Sequence, residues 1–121
     1  SIEVTKDGTT LSKEGDPITY AFTITNTSSF DTPDLVLDSV MDVGNGWAGL
    51  GDLTATAAAN GCGTLAPETS EGQGDEESCS FEVIIAAPAG PKPLENTVTV
   101  HYHPGPDFDN DIEASDGHSV D

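Results

Sequence analysis

The chain has 121 residues with three lysines, no arginine and 22 acidic side chains, a net charge of −19. Nucleic acid and anionic lipid are recognised by clustered cations, so this balance argues against both as partners, and no apolar run approaches the length needed for membrane insertion. Only 35% of residues are hydrophobic, which alone would fit disorder, but they stand in alternating runs between Gly, Pro and Asp clusters, the pattern of a folded chain.

The length fits a single domain, residues 1–121. The chain starts almost directly in a strand pattern at Ile2, which reads as a mature or excised segment. So acidic a surface repels itself unless cations or salt screen it. The carboxylates therefore suit divalent cations, a hydrated face in high salt, or simple solubility.

Ile2–Thr5 alternates apolar and polar and predicts a first strand, with Lys6-Asp7-Gly8 as its turn and Thr9–Lys13 as a brief edge segment. In Ile18, Tyr20, Phe22 and Ile24 every second residue is apolar, with threonines at most positions between. That period of two puts one set on each face of a strand, and β-branched and aromatic residues suit a half-buried sheet. We take it as the central strand, packing against Phe81, Val83, Val98 and Val100. Asp34 to about Met41 predicts a third strand, and Asp42–Gly51 a glycine-rich loop around Trp47.

Leu53–Ala58 is ambiguous: its alanines favour helix, whereas Thr54 and Thr56 tip the reading towards strand. Asn60–Thr64 reads as a turn and the acidic Glu68–Glu77 as an exposed, mobile loop. Cys79–Ala86 and Leu94–Tyr102 predict two further strands. Ile112, Ala114 and Val120 belong to a last strand that Asp116-Gly117 interrupts. About seven strands with turns between them and no convincing helix predict an all-β fold, an immunoglobulin-like antiparallel β-sandwich.

Cys62 and Cys79 are the only cysteines. An even number in an acidic, Gly/Thr/Ser-rich chain favours a disulfide between them and an oxidising compartment.

Several stretches resemble, in order, the DUF11-type repeats, immunoglobulin-like domains that occur in tandem in prokaryotic surface and extracellular proteins. They are Lys6, Gly15–Tyr20 and Phe22–Thr27; Asp34–Asp38; Gly61-Cys62 through Leu65-Ala66-Pro67 with Ser78-Cys79-Ser80; Asn96–Val100; and Asp109–Val120. The acidic insert Glu71–Glu77 departs from the family's short turn. The resemblance implies an extracellular stalk, spacer or fibre repeat at the cell surface, and it brings no catalytic residue.

The densest candidate site is Asp107, Asp109, Asp111 and Glu113, with Asp116 beyond. Alternate carboxylates in a loop can supply several of the oxygen ligands that calcium takes, so Ca2+ is the candidate cofactor. The spacing starts like an EF-hand loop, but Ile112 stands where that loop needs glycine. Further ligands would come from Asp31 with Asp34, or from Asp38 with Asp42. His101 and His103 share a strand face and could hold zinc or copper with a third ligand, His118 or an Asp, but two exposed histidines are the preferred reading. Asn26-Thr27-Ser28 matches the N-glycosylation pattern, with Asn26 expected at the surface of a strand end.

Lys6, Lys13 and Lys92 are candidates for a Lys–Asn isopeptide cross-link, Lys6 with Asn96. That chemistry needs a buried acid beside the pair, and none is evident in the alternation, so exposed lysines are the reading adopted. No motif frames a nucleophile, and an enzyme is not expected. The function predicted is a structural repeat or subunit, joined end to end with copies of itself. The alternatives are an adhesion or carbohydrate-binding module, for which Trp47 and Phe30 are the only aromatic candidates, and a pilin-like subunit completed by strand addition.

Overall fold

The computed structural model describes residues 1–105 and 108–121. In chain order its elements are β1 (Ile2–Gly8), β2 (Pro17–Asn26), β3 (Leu35–Gly44), β4 (Gly51–Asp52), the helical turn α1 (Thr54–Ala57), β5 (Thr64–Leu65), β6 (Ser78–Ala86), β7 (Leu94–Pro104) and β8 (Ile112–Val120). Strands β1, β2 and β6 form one antiparallel sheet in that order. The other runs β4, β3, β7, β8, with β5 also paired to β3. The expected sandwich is present, with eight strands among the described residues, two of them only two residues long.

The alternation in β2 drives the packing. Ile18, Tyr20, Phe22 and Ile24 are all but inaccessible and share one core with Val40, Phe81, Val98, Val100 and Tyr102, with Val83 packed against its edge. Phe22 and Phe81 are cross-strand partners and their rings stack with centroids 4.9 Å apart. Burying each such side chain contributes roughly 1.5–3 kcal/mol, which is how a chain so poor in apolar residues holds two sheets together.

Four local expectations are corrected. Lys6-Asp7-Gly8 is no turn: β1 continues to Gly8, fully in register along β2, so the sheet carries its first strand within the chain. Thr9–Lys13 forms no strand. Leu53–Ala58 is not a strand either: Thr54–Ala57 is a helical turn that runs into a π-type turn over Ala58–Cys62. Asp52 Oδ1 accepts the Thr54 N–H at its start and Ala57 drops into the core, so helix-forming alanines win over the threonines. Finally, Asp116-Gly117 does not interrupt β8, which pairs continuously with β7.

The loop Glu68–Glu77 is largely exposed, and its carboxylates tie down its own backbone. Glu68 accepts the N–H groups of Gly72 and Gly74, and Asp75 accepts both the N–H and the hydroxyl of Thr69. The Thr69 hydroxyl holds the Asp75 carboxyl below its ordinary range.

One irregularity has large consequences. Between Leu37 and Ser39 the β3–β7 register slips, leaving Asp38 as an extra residue. A bulge reverses which alternate residues face inward. Leu35 faces the core before it, whereas Val40 and Asp42 do so after it, and Met41 and Val43 are turned out to solvent.

Candidate functional site

The predicted acidic site lies at the end of the sandwich where β7 passes to β8. Its members do not gather in one place. Asp107 lies outside the described residues. Asp111 Oδ1 is 2.9 Å from His101 Nδ1, and Glu113 Oε2 is 3.8 Å from His101 Nε2, so these two carboxylates bracket one imidazole. The Asp111 hydrogen bond pushes the His101 pKa up, against a smaller opposing effect of burial. Asp109 is exposed and lines a separate groove with Asp38, His103 and Phe108. There the bulged Asp38 accepts His103 Nδ1 at 2.7 Å. The two histidines are therefore half-buried and carboxylate-paired, not the bare exposed pair expected.

His101, Asp111 and Glu113 form a set that could touch one ion. One imidazole and two carboxylates fall short of a calcium shell, which takes six to eight oxygens; nitrogen with carboxylate suits zinc more closely. Asp116 is elsewhere altogether. Its Oδ2 accepts the backbone N–H of Lys6 at 2.8 Å, so it clips β8 to the edge of β1 and occupies a donor that an open sheet edge would leave free.

The disulfide Cys62–Cys79 forms, with Cα atoms 5.4 Å apart. It joins β6 to the turn after α1, and the Tyr102 hydroxyl donates to the Cys62 carbonyl at 2.7 Å. Asn26 is not at the surface. It is wholly buried, its Nδ2 donates to the Leu65 carbonyl and its Oδ1 accepts the Ser28 N–H. The side chain that a glycan would need is thus built into the fold. Trp47 packs on the core edge with its Nε1 donating to the Glu95 carbonyl, whereas Phe30 and Phe108 are exposed.

The most unusual chemistry lies inside the sandwich. Lys6, expected at the surface, has no exposed side-chain area, and neither has Asp42. Lys6 Nζ donates to Asp42 Oδ2 at 2.7 Å. Asp42 Oδ1 accepts Asn96 Nδ2 at 2.7 Å and the Leu50 N–H at 3.0 Å. One carboxylate thus holds the amine of β1 on one oxygen and the amide of β7 on the other. The rings of Tyr20 and Phe22 close over Nζ, with centroids 5.0 and 5.8 Å away. Lys13 and Lys92, in contrast, are exposed.

Each member arrives by strand parity. Ile2, Val4 and Lys6 face inward together on β1, as Leu94, Asn96 and Val98 do on β7. Asp42 faces inward because the bulge at Asp38 resets β3. Burial lowers the Lys6 pKa, an effect the hydrogen bond and charge of Asp42 only partly offset, and burial with the Asp42 charge raises that of Tyr20. Asn96 Oδ1 and the Tyr20 hydroxyl are buried with no hydrogen-bond partner among the described residues.

The parity of Lys6 and Asn96 with their apolar neighbours is readable in the sequence. Ending the first strand at Thr5 hid Lys6, and no sequence signal for the bulge exposes Asp42. Among the described residues no helix is long and apolar enough to cross a membrane. Comparison with protein-family models, curated protein sequences and solved structures gives no match, so the resemblance to DUF11-type repeats rests on the sequence motifs alone.

Proposed function

We propose that this domain is a non-catalytic structural unit of an extracellular filament or cell-surface stalk, joined end to end with copies of itself or with neighbouring repeats. The observation that carries this reading is the course of the first and last strands. Ser1 shares a groove with Pro104 and Ile112, at the end where β8 starts. Asp121 exchanges backbone hydrogen bonds with Thr10 and Ser12, beyond the far end of β1. Strands β1 and β8 therefore run side by side in the same direction, and their outer ends lie at opposite poles of the sandwich. A chain continued past these strands would enter at one pole and leave at the other, the geometry of a string of domains.

Two further features support the reading. The disulfide fits an oxidising compartment, and a net charge of −19 suits a surface hydrated in salt or screened by cations.

The test is small-angle scattering on one, two and three copies expressed in tandem, at high salt. The maximum dimension should grow in proportion to copy number with a rod-like profile. Compact particles, or the profile of freely jointed beads, would count against an end-to-end structural role.

A further inference from the structure

The Lys6–Asp42–Asn96 group is buried, and as a plain buried ion pair it is poorly made. Among the described residues Lys6 Nζ has one hydrogen-bond acceptor, Asp42, although an ammonium carries three protons to place. Its remaining surroundings include the faces of Tyr20 and Phe22. Among the same residues Asn96 Oδ1 is buried without a donor, a leftover that folded proteins rarely tolerate. An amine, an amide and a carboxylate bridging them, all shut away from water, are instead the reactants for making an amide bond.

We propose that Lys6 and Asn96 react to form an intramolecular isopeptide bond between β1 and β7, with Asp42 moving the protons. The inference stands on this buried geometry alone and holds whether or not the domains join end to end.

The step balances within the three side chains. Lys6 Nζ passes a proton to Asp42 Oδ2 along the 2.7 Å hydrogen bond, which replaces two buried charges by a neutral amine and a neutral acid. The freed lone pair attacks Asn96 Cγ, the new C–N bond forms, and the carbonyl electron pair moves onto Oδ1. Asp42 relays a proton from Nζ to Nδ2, the hydrogen-bond partner of its Oδ1. The Cγ–Nδ2 bond then breaks, its electron pair leaves with nitrogen as ammonia, and the carbonyl re-forms. The products are a secondary amide, protonated Asp42 and one ammonia; nothing is oxidised or reduced. Protonated Asp42 can then donate to the former Asn96 Oδ1, the atom that has no partner before the reaction. Holding amine and amide on one carboxylate replaces an encounter by a fixed geometry. The lowered Lys6 pKa works in the same direction by making the neutral amine accessible.

The bond would join the two sheets through the first strand and the last but one. Tension applied at the two poles would then pass from Lys6 to Asn96 along a covalent path, and the segment between them, disulfide included, would carry none of it.

The experiment is intact mass spectrometry of the purified full chain after reduction and denaturation, followed by proteolytic linkage mapping. The expected mass is that of the sequence less one ammonia, with a branched peptide joining the Lys6 and Asn96 fragments. Lys6→Met, Asn96→Ala and Asp42→Ala should each restore the full sequence mass apart from the substitution. A folded protein at full sequence mass after prolonged incubation overturns the proposal. So does ammonia loss confined to a linear Asn96 peptide, which would be cyclisation of Asn96 onto its own backbone. Should a variant fail to fold, the wild-type mass and linkage map still decide.

Discussion

Lys6–Asp42 and His101–Asp111 are both a basic side chain against a carboxylate, at 2.7 and 2.9 Å. Their surroundings set them apart. The first pair has no exposed side-chain area, whereas the second keeps 32% of the histidine and 60% of the aspartate in solvent. In water the second pair exchanges one set of favourable contacts for another and is worth little. In the core each charge of the first pair has lost its hydration, so each depends on the other. Similar distances thus mean a solvated contact at the sandwich end and a committed chemical group between the sheets.

The sharpest way to break this contrast is to remove one carboxylate from each pair. Asp42→Ala blocks the proposed cross-link and leaves the Lys6 amine and the Asn96 amide buried without their shared partner, and should cost at least about 3–5 kcal/mol, or prevent folding. Asp111→Asn at the exposed pair should cost under about 1 kcal/mol. Urea denaturation of both variants gives the comparison. Equal losses would mean that burial does not separate the two sites.

The disulfide should come next. Cys62→Ala combined with Cys79→Ala removes a cross-link over a separation of 17 residues, with an expected loss of about 2–4 kcal/mol on a chain-entropy argument. A scanning calorimetry trace unchanged by the double substitution would refute it.

Asn26→Ala probes a buried polar group without charge. It leaves the Leu65 carbonyl and the Ser28 N–H without their partner, for a loss of about 1–3 kcal/mol in urea. A neutral effect would mean that Asn26 is not held as described.

At the exposed pair the effect is one of pH. The folded-state pKa of His101 is raised from 6.5, chiefly by its hydrogen bond to Asp111. Its stabilising contribution is therefore complete below about pH 6.5 and is lost as pH rises through the higher folded value. The melting-temperature difference between wild type and His101→Gln should shrink from pH 5.5 to pH 8.5, and a difference that grows would reverse the sign argued here. Divalent ions should matter least. Millimolar calcium is expected to raise the melting temperature no more than equimolar magnesium, because both only screen the surface. A calcium-specific rise abolished by Asp111→Asn would instead establish the loop as a calcium site.

Much of the architecture was legible because a period of two is a local property. The inward set of β2 and the inward face of β7 follow from residue spacing and side-chain type. The helical turn at Thr54–Ala57 was less so: four residues give too little pattern to separate helix from strand. The site was half legible. Lys6 follows Ile2 and Val4 in parity, and Asn96 lies between Leu94 and Val98 in the same way.

The sequence by itself determined the sandwich, the disulfide partners and the acidic surface, because alternation, a single pair of cysteines and a charge count need no knowledge of what lies across the core. Only the tertiary structure decided that Asn26 is buried, that the acidic candidates are divided among separate sites, and that Asp42 meets Lys6 and Asn96. The last depends on one residue: the bulge at Asp38 turns Met41 outward and Asp42 inward. A register slip is settled by how two strands fit each other, so its consequence appears only when β3 is laid against β7 and the second sheet closes over them.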